Sequence, residues 1–231
     1  MPWASDNIDG DFMDFEKLIK SKTFSFFDWL YRLLVINLMM IFMMLPVLTL
    51  LPGVVAAYAT IRDHGNGDIT NTFKLFFRNF KKYFERSFTV WIIIVLATLV
   101  GGYSIIFYGS LSTENLLSQA GFYVMLFMFL LILLLLVNIP LLIINFPSLK
   151  GMDIFRATTY ISFKFLGTTL ILFGLFVLTI VIAPFLPISV LFGFSAPVYF
   201  AIKITKPVYN FLVSINFDEK ITREEEYEDE D

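Results

Sequence analysis

The chain contains no cysteine and a single histidine. The absence of cysteine excludes disulfides, thiolate nucleophiles and cysteine-ligated metals, and one imidazole cannot supply the ligands of an ordinary zinc site. That histidine lies in Asp63-His64-Gly65-Asn66-Gly67, a composition that predicts a solvated turn. The signatures of serine hydrolases, P-loop proteins, dinucleotide-binding proteins and zinc peptidases are also missing. We therefore expect no metal centre, no cofactor and no enzymatic activity.

Charge is missing from four long stretches of the chain, although 16% of its residues are charged. These stretches are Leu33–Ile61, Ser87–Thr113, Asn115–Leu149 and Phe165–Ile202. Each is longer than the roughly 20 residues that cross a hydrocarbon core. The sequence therefore predicts a polytopic membrane protein whose surroundings are the lipid bilayer. The net charge of −3 provides no basic footprint for nucleic acid.

Proline and glycine interrupt the first and the last of these stretches, because proline removes a backbone donor and restricts the residue before it. The predicted helix breaks are Pro46, Pro52, Gly53, Pro184 and Pro187. Gly53–Ile61 is too short for an ordinary crossing, so we expect it to pack inside the bundle. The last stretch divides into two crossings, Phe165–Ala183 and Ile188–Ile202. The predicted fold is all-α, with about six hydrophobic segments.

Two stretches between the spans are amphipathic. Residues 70–88 carry phenylalanines at spacings of three and four, with basic residues between them, which predicts a helix at the cytoplasmic membrane interface. Residues 150–164 predict a second, weaker amphipathic helix. The first helix has two interpretations, an anchor in anionic lipid or a docking surface for a cytoplasmic partner. The candidate docking residues are Arg78, Lys81, Lys82 and Arg86.

None of the 17 Lys and Arg residues lies in the turns at 46–52, 109–121 and 184–187. Basic residues concentrate on the cytoplasmic side of membrane proteins, so six segments with both termini in the cytoplasm explain this distribution. An alternative with five crossings and an external N-terminus leaves the three lysines before the first span outside. The predicted domains are a polar acidic segment (1–23), one transmembrane helical domain (24–205) and an acidic, disordered tail (206–231).

The predicted hydrocarbon segments contain no Asp, Glu, Lys, Arg or His. Proton relays, ion-coupled carriers and voltage sensors normally need such residues, so the sequence argues against these functions. The candidate intramembrane polar residues are Asn37, Asn138 and Asn145. Either they form a hydrogen-bonding site for a neutral, hydroxyl-rich ligand, or they join neighbouring helices at about 0.6 kcal/mol per bond.

The order of these features resembles the YesL-like family of bacterial membrane proteins. The resemblance rests on Asn37 with Pro46-x-x-Thr49-x-x-Pro52, on Phe73-x-x-x-Phe77-Arg78-Asn79-Phe80-x-x-x-Phe84, and on Phe146-Pro147. It covers about residues 24–205, although Leu38-Met39-Met40 stands where the family often carries tryptophan. The resemblance implies a plasma-membrane protein of Gram-positive bacteria without an established activity. Its relatives are often encoded beside genes for carbohydrate uptake and glycan degradation.

From this resemblance and the docking surface we expect a non-enzymatic accessory component associated with carbohydrate uptake. Its expected partners are transporter subunits or further copies of itself. The alternative is a small self-contained transporter for neutral solutes, which the broken first hairpin and the pair Asn37 and Asn138 suggest.

Overall fold

The computed structural model describes residues 22–111, 116–183, 185, 192–219 and 221. The predicted acidic segment 1–21, the breaks Pro184 and Pro187, and tail residues 222–231 lie outside this part of the chain. All regular structure in the described residues is helical, which confirms the all-α prediction. The helices are α1 (Lys22–Met44), α2 (Leu50–Gly65), α3 (Thr72–Leu111), α4 (Leu116–Leu136), α5 (Ile139–Asn145), α6 (Met152–Lys164), α7 (Leu166–Ile182) and α8 (Ser195–Ser214), with a 3-10 turn at Val47–Thr49.

Three helical stretches of the described chain are long and apolar enough to cross a membrane. They are Phe26–Met44, Thr72–Leu111 and Leu116–Asn145. α6 and α7 add a fourth if these two helices, bent by 100° relative to each other, form one span. Many exposed side chains on the second half of α3, on α4 and on α7 are large and apolar, a surface that soluble monomers rarely present. The chain is compatible with a membrane protein, whereas the six predicted segments are not confirmed.

The second helix, α2, is the buried centre of the bundle. Every residue from Leu51 to Ile61 except Val54 is buried, and the helix packs against α1, α3, α5 and α8. A Cβ atom at Gly53 would lie 2.9 Å from the Cβ of Met43 on α1, so the missing side chain permits this close approach. With 16 residues, α2 is about 24 Å long. It therefore extends beyond the predicted short segment.

The break between α1 and α2 lies around Pro46, which precedes the 3-10 turn. Pro52 and Gly53, predicted to belong to the break, instead lie in the first turn of α2. Proline is tolerated there because a first-turn N–H has no partner within the helix. The helix can therefore start at Leu50, ahead of both residues.

One side chain of the 3-10 turn and one of α3 satisfy the backbone of this break. The hydroxyl of Thr49 donates to the carbonyl of Met43 at 2.5 Å, and the indole N–H of Trp91 on α3 donates to the carbonyl of Val47 at 2.7 Å. In apolar surroundings an interrupted helix needs such partners for its freed carbonyls. The bonds hold the turn between α1 and α2 against α3.

The third helix, α3, is continuous over 40 residues, about 60 Å at the usual helical rise. All its charged residues lie between Lys74 and Arg86. The predicted interfacial helix at 70–88 is therefore not a separate element but mostly the first part of α3. No glycine or proline occurs between Thr72 and Val100 to end the helix. The second amphipathic stretch does form its own helix, α6.

The helix α8 begins in the interior beside α1. The backbone N–H groups of Phe194 and Ser195 donate to the side-chain oxygen of Asn37 at 2.9 and 3.2 Å. Asn37 lies about 10 Å along α1 from its last residue, Met44. α8 runs from Ser195 to Ser214, so it contains the second part of the predicted crossing Ile188–Ile202, whose residues 188–191 lie outside the described part of the chain. The helix continues beyond 205, where the predicted transmembrane domain ends.

Candidate functional site

Arginines, lysines and the histidine gather at one end of the bundle, around the C-terminal turn of α2. We call this the basic end; it contains Arg32, Arg62, His64, Arg86, Lys203 and Lys206. Arg62 donates to the carbonyl of Ile144 on α5 at 2.6 Å, and its guanidinium also lies 3.3 Å from the carboxylate of Asp63 and the hydroxyl of Tyr83. Arg62 thereby joins α2, α3 and α5.

Arg86 on α3 completes the same end of α5. Its guanidinium donates to the carbonyls of Phe146 at 2.9 Å, Ile143 at 3.3 Å and Leu149 at 2.5 Å. The last carbonyls of a helix lack intrahelical partners and carry partial negative charge. Two arginines from other helices therefore cap α5 and the turn that follows it.

His64 lies in the last turn of α2, not in a solvated turn as predicted. Its Nδ1 lies 2.8 Å from a guanidinium nitrogen of Arg32 and 2.8 Å from the carbonyl oxygen of Asp68. A neutral ring accepts the first bond or donates the second through this nitrogen, but not both at once. Its Nε2 lies 3.2 Å from the hydroxyl of Thr72. His64 thus connects α1, α2 and α3.

A cavity of about 410 Å³ opens beside His64. Its polar and aromatic lining includes Asp28, Trp29, Arg32, His64, Asp68 and Tyr199. The rings of Trp29 and Tyr199 meet edge to face, with centroids 5.0 Å apart, and Arg32 donates to Asp28 at 2.8 Å. We call this the tryptophan cavity. Its mixture of aromatic faces, donors and acceptors is suited to binding a small polar molecule.

Asp68 fixes the loop between α2 and α3. Its carboxylate accepts from the backbone N–H of Thr70 at 2.8 Å and from Arg78 at 2.7 Å. Hydrogen bonds from Thr70, followed by the bond from Arg78, hold the pKa of Asp68 below its ordinary value. Gly67, just before it, has a φ of +95° that glycine adopts readily. The carboxylate is therefore ionised at neutral pH and pairs with Arg78.

A second cavity, of about 360 Å³, lies between α2, α5 and α8. We call it the lysine groove. Its polar lining includes Arg62, Asn66, Asn145, Lys203, Lys206 and Asn210. Ile61, Gly65 and Tyr199 line both this groove and the tryptophan cavity. The end of α2 therefore connects two cavities of different character.

The structure does not bring the three candidate asparagines together in one ligand site. Asn37 caps α8, as described above. The amide nitrogen of Asn138 donates to the hydroxyls of Ser162 on α6 at 2.9 Å and Thr169 on α7 at 3.0 Å, so it spans the bend between those helices. Asn145 donates within α5 and lines the lysine groove. The contacts of Asn37 and Asn138 correspond to the interpretation in which these residues join helices.

The four candidate docking residues differ in their surroundings. Lys81 and Lys82 are exposed on α3, with Lys82 placed 5.1 Å from the ring centroid of Tyr83. Arg78 is exposed but pairs with Asp68. Arg86 is only partly exposed, and its guanidinium is used by the α5 carbonyls. The residues therefore do not form one continuous surface.

Sequence reasoning missed Arg62, Trp29, Tyr199, Lys203 and Lys206 as parts of a site. One signal was present, since Lys203 and Lys206 are three residues apart and so share a helical face. Arg62 looked like an ordinary end-of-span cation. Within the part of the chain that the structure describes, no group of three or more potential ligands is placed to hold a metal ion.

A family model described as a protein of unknown function, DUF624, matches residues 33–105. The matched region runs from within α1 through most of α3 and includes Asn37, Arg62 and Arg86. No curated protein and no solved structure matches the chain. The matched family thus has no described activity to compare with the two cavities.

Proposed function

We propose that this chain is a non-enzymatic accessory component of a bacterial carbohydrate-uptake system. The resemblance to YesL-like plasma-membrane proteins supports this role. The six segments of the proposed topology are α1, α2, α3, α4 with α5, α7 and α8. The positive-inside rule assigns the basic end and both termini to the cytoplasm. In this arrangement the first part of α3 extends toward the cytoplasm, where it can meet another protein.

The observation that carries the proposal is an exposed aromatic and basic face on α3. We call it the docking face and define it by Phe73, Lys74, Phe77 and Lys81. Phe73 and Phe77 are 55% and 38% exposed, with ring centroids 4.9 Å apart. Lys74 and Lys81 are exposed and make no hydrogen bond or ion pair with described residues. The opposite side of the helix is buried against the bundle.

A partner that fits this face has an apolar patch bordered by carboxylates. Phenylalanine rings bury large apolar areas at interfaces. Lysines beside them would guide an acidic partner into register. Lipid can also contact such a face, since phenylalanine and lysine suit the membrane interface. The two alternatives differ in whether a protein is retained after extraction with mild detergent.

The test is a pull-down of the full chain from native membranes, with partners identified by mass spectrometry. We expect permease or ATPase subunits of a carbohydrate transporter, and we expect Lys74→Glu/Lys81→Glu to abolish their recovery. Lys203→Glu/Lys206→Glu is the matched control, because it makes the same charge change at the basic end and leaves the docking face intact. Recovery of the wild-type chain alone would contradict the accessory role. Equal loss in both variants would show that overall charge, not the docking face, retains the partner.

The second candidate function is a small self-contained transporter for neutral solutes. The tryptophan cavity favours it, because aromatic rings and paired charges line a space large enough for a small solute. The contacts of Asn37 and Asn138 do not favour a transporter, since both side chains form hydrogen bonds with other helices. Flux of neutral sugars into liposomes that contain the purified chain would test it. Trp29→Ala should then reduce flux, and absence of flux in the wild type would exclude the candidate.

A further inference from the structure

We propose that the lysine groove binds a phosphate group. The charge of its lining points to an anion. Three cations, Arg62, Lys203 and Lys206, line the groove, and among the described residues no carboxylate does. The tryptophan cavity differs in this respect, because Asp28 and Asp68 line it.

The two lysines carry the uncompensated charge of this groove. Arg62 has the carboxylate of Asp63 at 3.3 Å. Lys203 and Lys206 are exposed and form no ion pair or hydrogen bond with the residues that the structure describes. An excess of two positive charges beside an opening of this size favours an anionic occupant over a neutral one.

The positions of the donors fit an anion with several acceptor oxygens. Lys203 and Lys206 are one turn apart on α8, and Asn210 follows one turn later on the same side. Each ammonium offers three donors and each carboxamide two. Asn66 and Asn145 stand on the walls formed by α2 and α5. A phosphate group has enough oxygens to accept from more than one of these residues at a time.

The rest of the lining indicates what the phosphate is attached to. Apolar side chains complete the groove, among them Ile61, Leu141, Ile144 and Ile202. The volume of about 360 Å³ exceeds what one phosphate ion fills. Basic pockets between membrane helices recognise phospholipid head groups in this way. The phosphate therefore belongs either to an anionic phospholipid or to a soluble phosphate ester.

The experiment measures binding to the purified full-length chain in neutral detergent by native mass spectrometry. The probes are phosphatidylglycerol, phosphatidylcholine as the zwitterionic comparison, and glycerol 3-phosphate as the soluble ester. We expect Lys203→Gln/Lys206→Gln to weaken anion binding about 25-fold, since each basic residue near an anionic head group contributes about a factor of five. Lys150→Gln/Lys164→Gln removes the same charge just before and at the end of α6, where both lysines are exposed and outside the lining of the groove, and should leave affinity nearly unchanged.

The two sources of phosphate give different results. Binding of phosphatidylglycerol over phosphatidylcholine, lost only in the groove variant, assigns the groove to lipid. Binding of glycerol 3-phosphate, lost only in that variant, assigns it to a soluble ester. Three results would overturn the proposal. They are an equal loss of binding in both variants, equal binding of the two lipids without binding of the ester, and no binding of any probe. If the double variant does not fold, the single variants Lys203→Gln and Lys206→Gln replace it, each with an expected five-fold loss.

Discussion

Arg86 offers the sharpest test of how the bundle is held together. It looks from the sequence like a surface cation at the start of a span, yet its guanidinium donates to carbonyls of α5 and the turn after it. Replacing it with methionine keeps an unbranched side chain and removes every donor. We expect Arg86→Met to destabilise the contact between α3 and α5 and thereby lower the stability of the whole bundle.

The magnitude follows from the two shorter bonds of Arg86, to Phe146 at 2.9 Å and to Leu149 at 2.5 Å. A hydrogen bond from a charged donor contributes about 1.5–3 kcal/mol, so these two together give about 3–6 kcal/mol. The guanidinium is partly accessible, so water can replace part of this interaction. The Nε atom is buried without a partner in the described structure, and the variant would no longer bury it. We therefore expect a loss of about 2–4 kcal/mol in the free energy of unfolding.

The assay is equilibrium unfolding of the purified chain in mixed micelles. Arg78→Met is the matched control, because Arg78 makes an exposed ion pair with Asp68 and should contribute at most about 1 kcal/mol. Arg86→Lys should fall between the wild type and Arg86→Met, since a compact ammonium does not reproduce the planar fork of guanidinium. Equal stabilities of Arg86→Met and Arg78→Met would refute the capping role of Arg86.

Two further substitutions test the packing of α2 and the bend between α6 and α7. Gly53→Ala places a Cβ 2.9 Å from that of Met43 and should lower the free energy of unfolding by about 1–3 kcal/mol through overpacking. The control Gly174→Ala, whose new Cβ has nothing within 4 Å, should be neutral or slightly stabilising. Similar melting temperatures for the two variants would contradict the close approach of α1 and α2 at Gly53. Asn138→Leu removes two interhelical bonds and should cost about 1 kcal/mol. Asn145→Leu removes one bond within α5 and should cost less in the same unfolding assay, so a reversed order would argue against interhelical bonding by Asn138.

The helical content and the first break could be predicted because they depend on local chemistry. Long uncharged stretches and the proline after α1 are readable without knowing what packs where. The burial of the segment after Gly53 was also predictable, because an apolar helix too short to cross needs neighbours on all sides. The exact start of α2 could not be predicted, since proline is equally compatible with a break and with the first turn of a helix.

The roles of individual polar residues depend on contacts between distant parts of the chain. Arg62 meets a carbonyl 82 residues away, and Arg86 meets one 60 residues away. Asn37 meets the first residues of α8 across 157 and 158 positions. Composition and spacing describe one helix at a time, so they do not reveal that a cation at the end of one helix caps another. The same limit hid the lysine groove, whose lining comes from three helices.

Helices that end inside the bundle explain which polar residues are structural. α8 begins beside α1 and α5 ends beside α3, and each end leaves backbone groups that need partners in apolar surroundings. Asn37 accepts at the first of these ends, and Arg62 and Arg86 donate at the second. Loss of any of these three side chains should therefore affect folding before it affects binding.

The lysines of the docking face and of the lysine groove do not cap helix ends. Lys74, Lys81, Lys203 and Lys206 have no bonded partner among the described residues, and an exposed, unpaired lysine adds little to stability. They also form two separate pairs, one on the docking face of α3 and one in the lysine groove of α8. Variants of either pair should consequently fold normally. Variants of Lys74 and Lys81 should lose binding of a partner protein, and variants of Lys203 and Lys206 should lose binding of a phosphate group. Arg62 and Arg86 join helices of the bundle, whereas the two lysine pairs are the residues through which we propose that it binds other molecules.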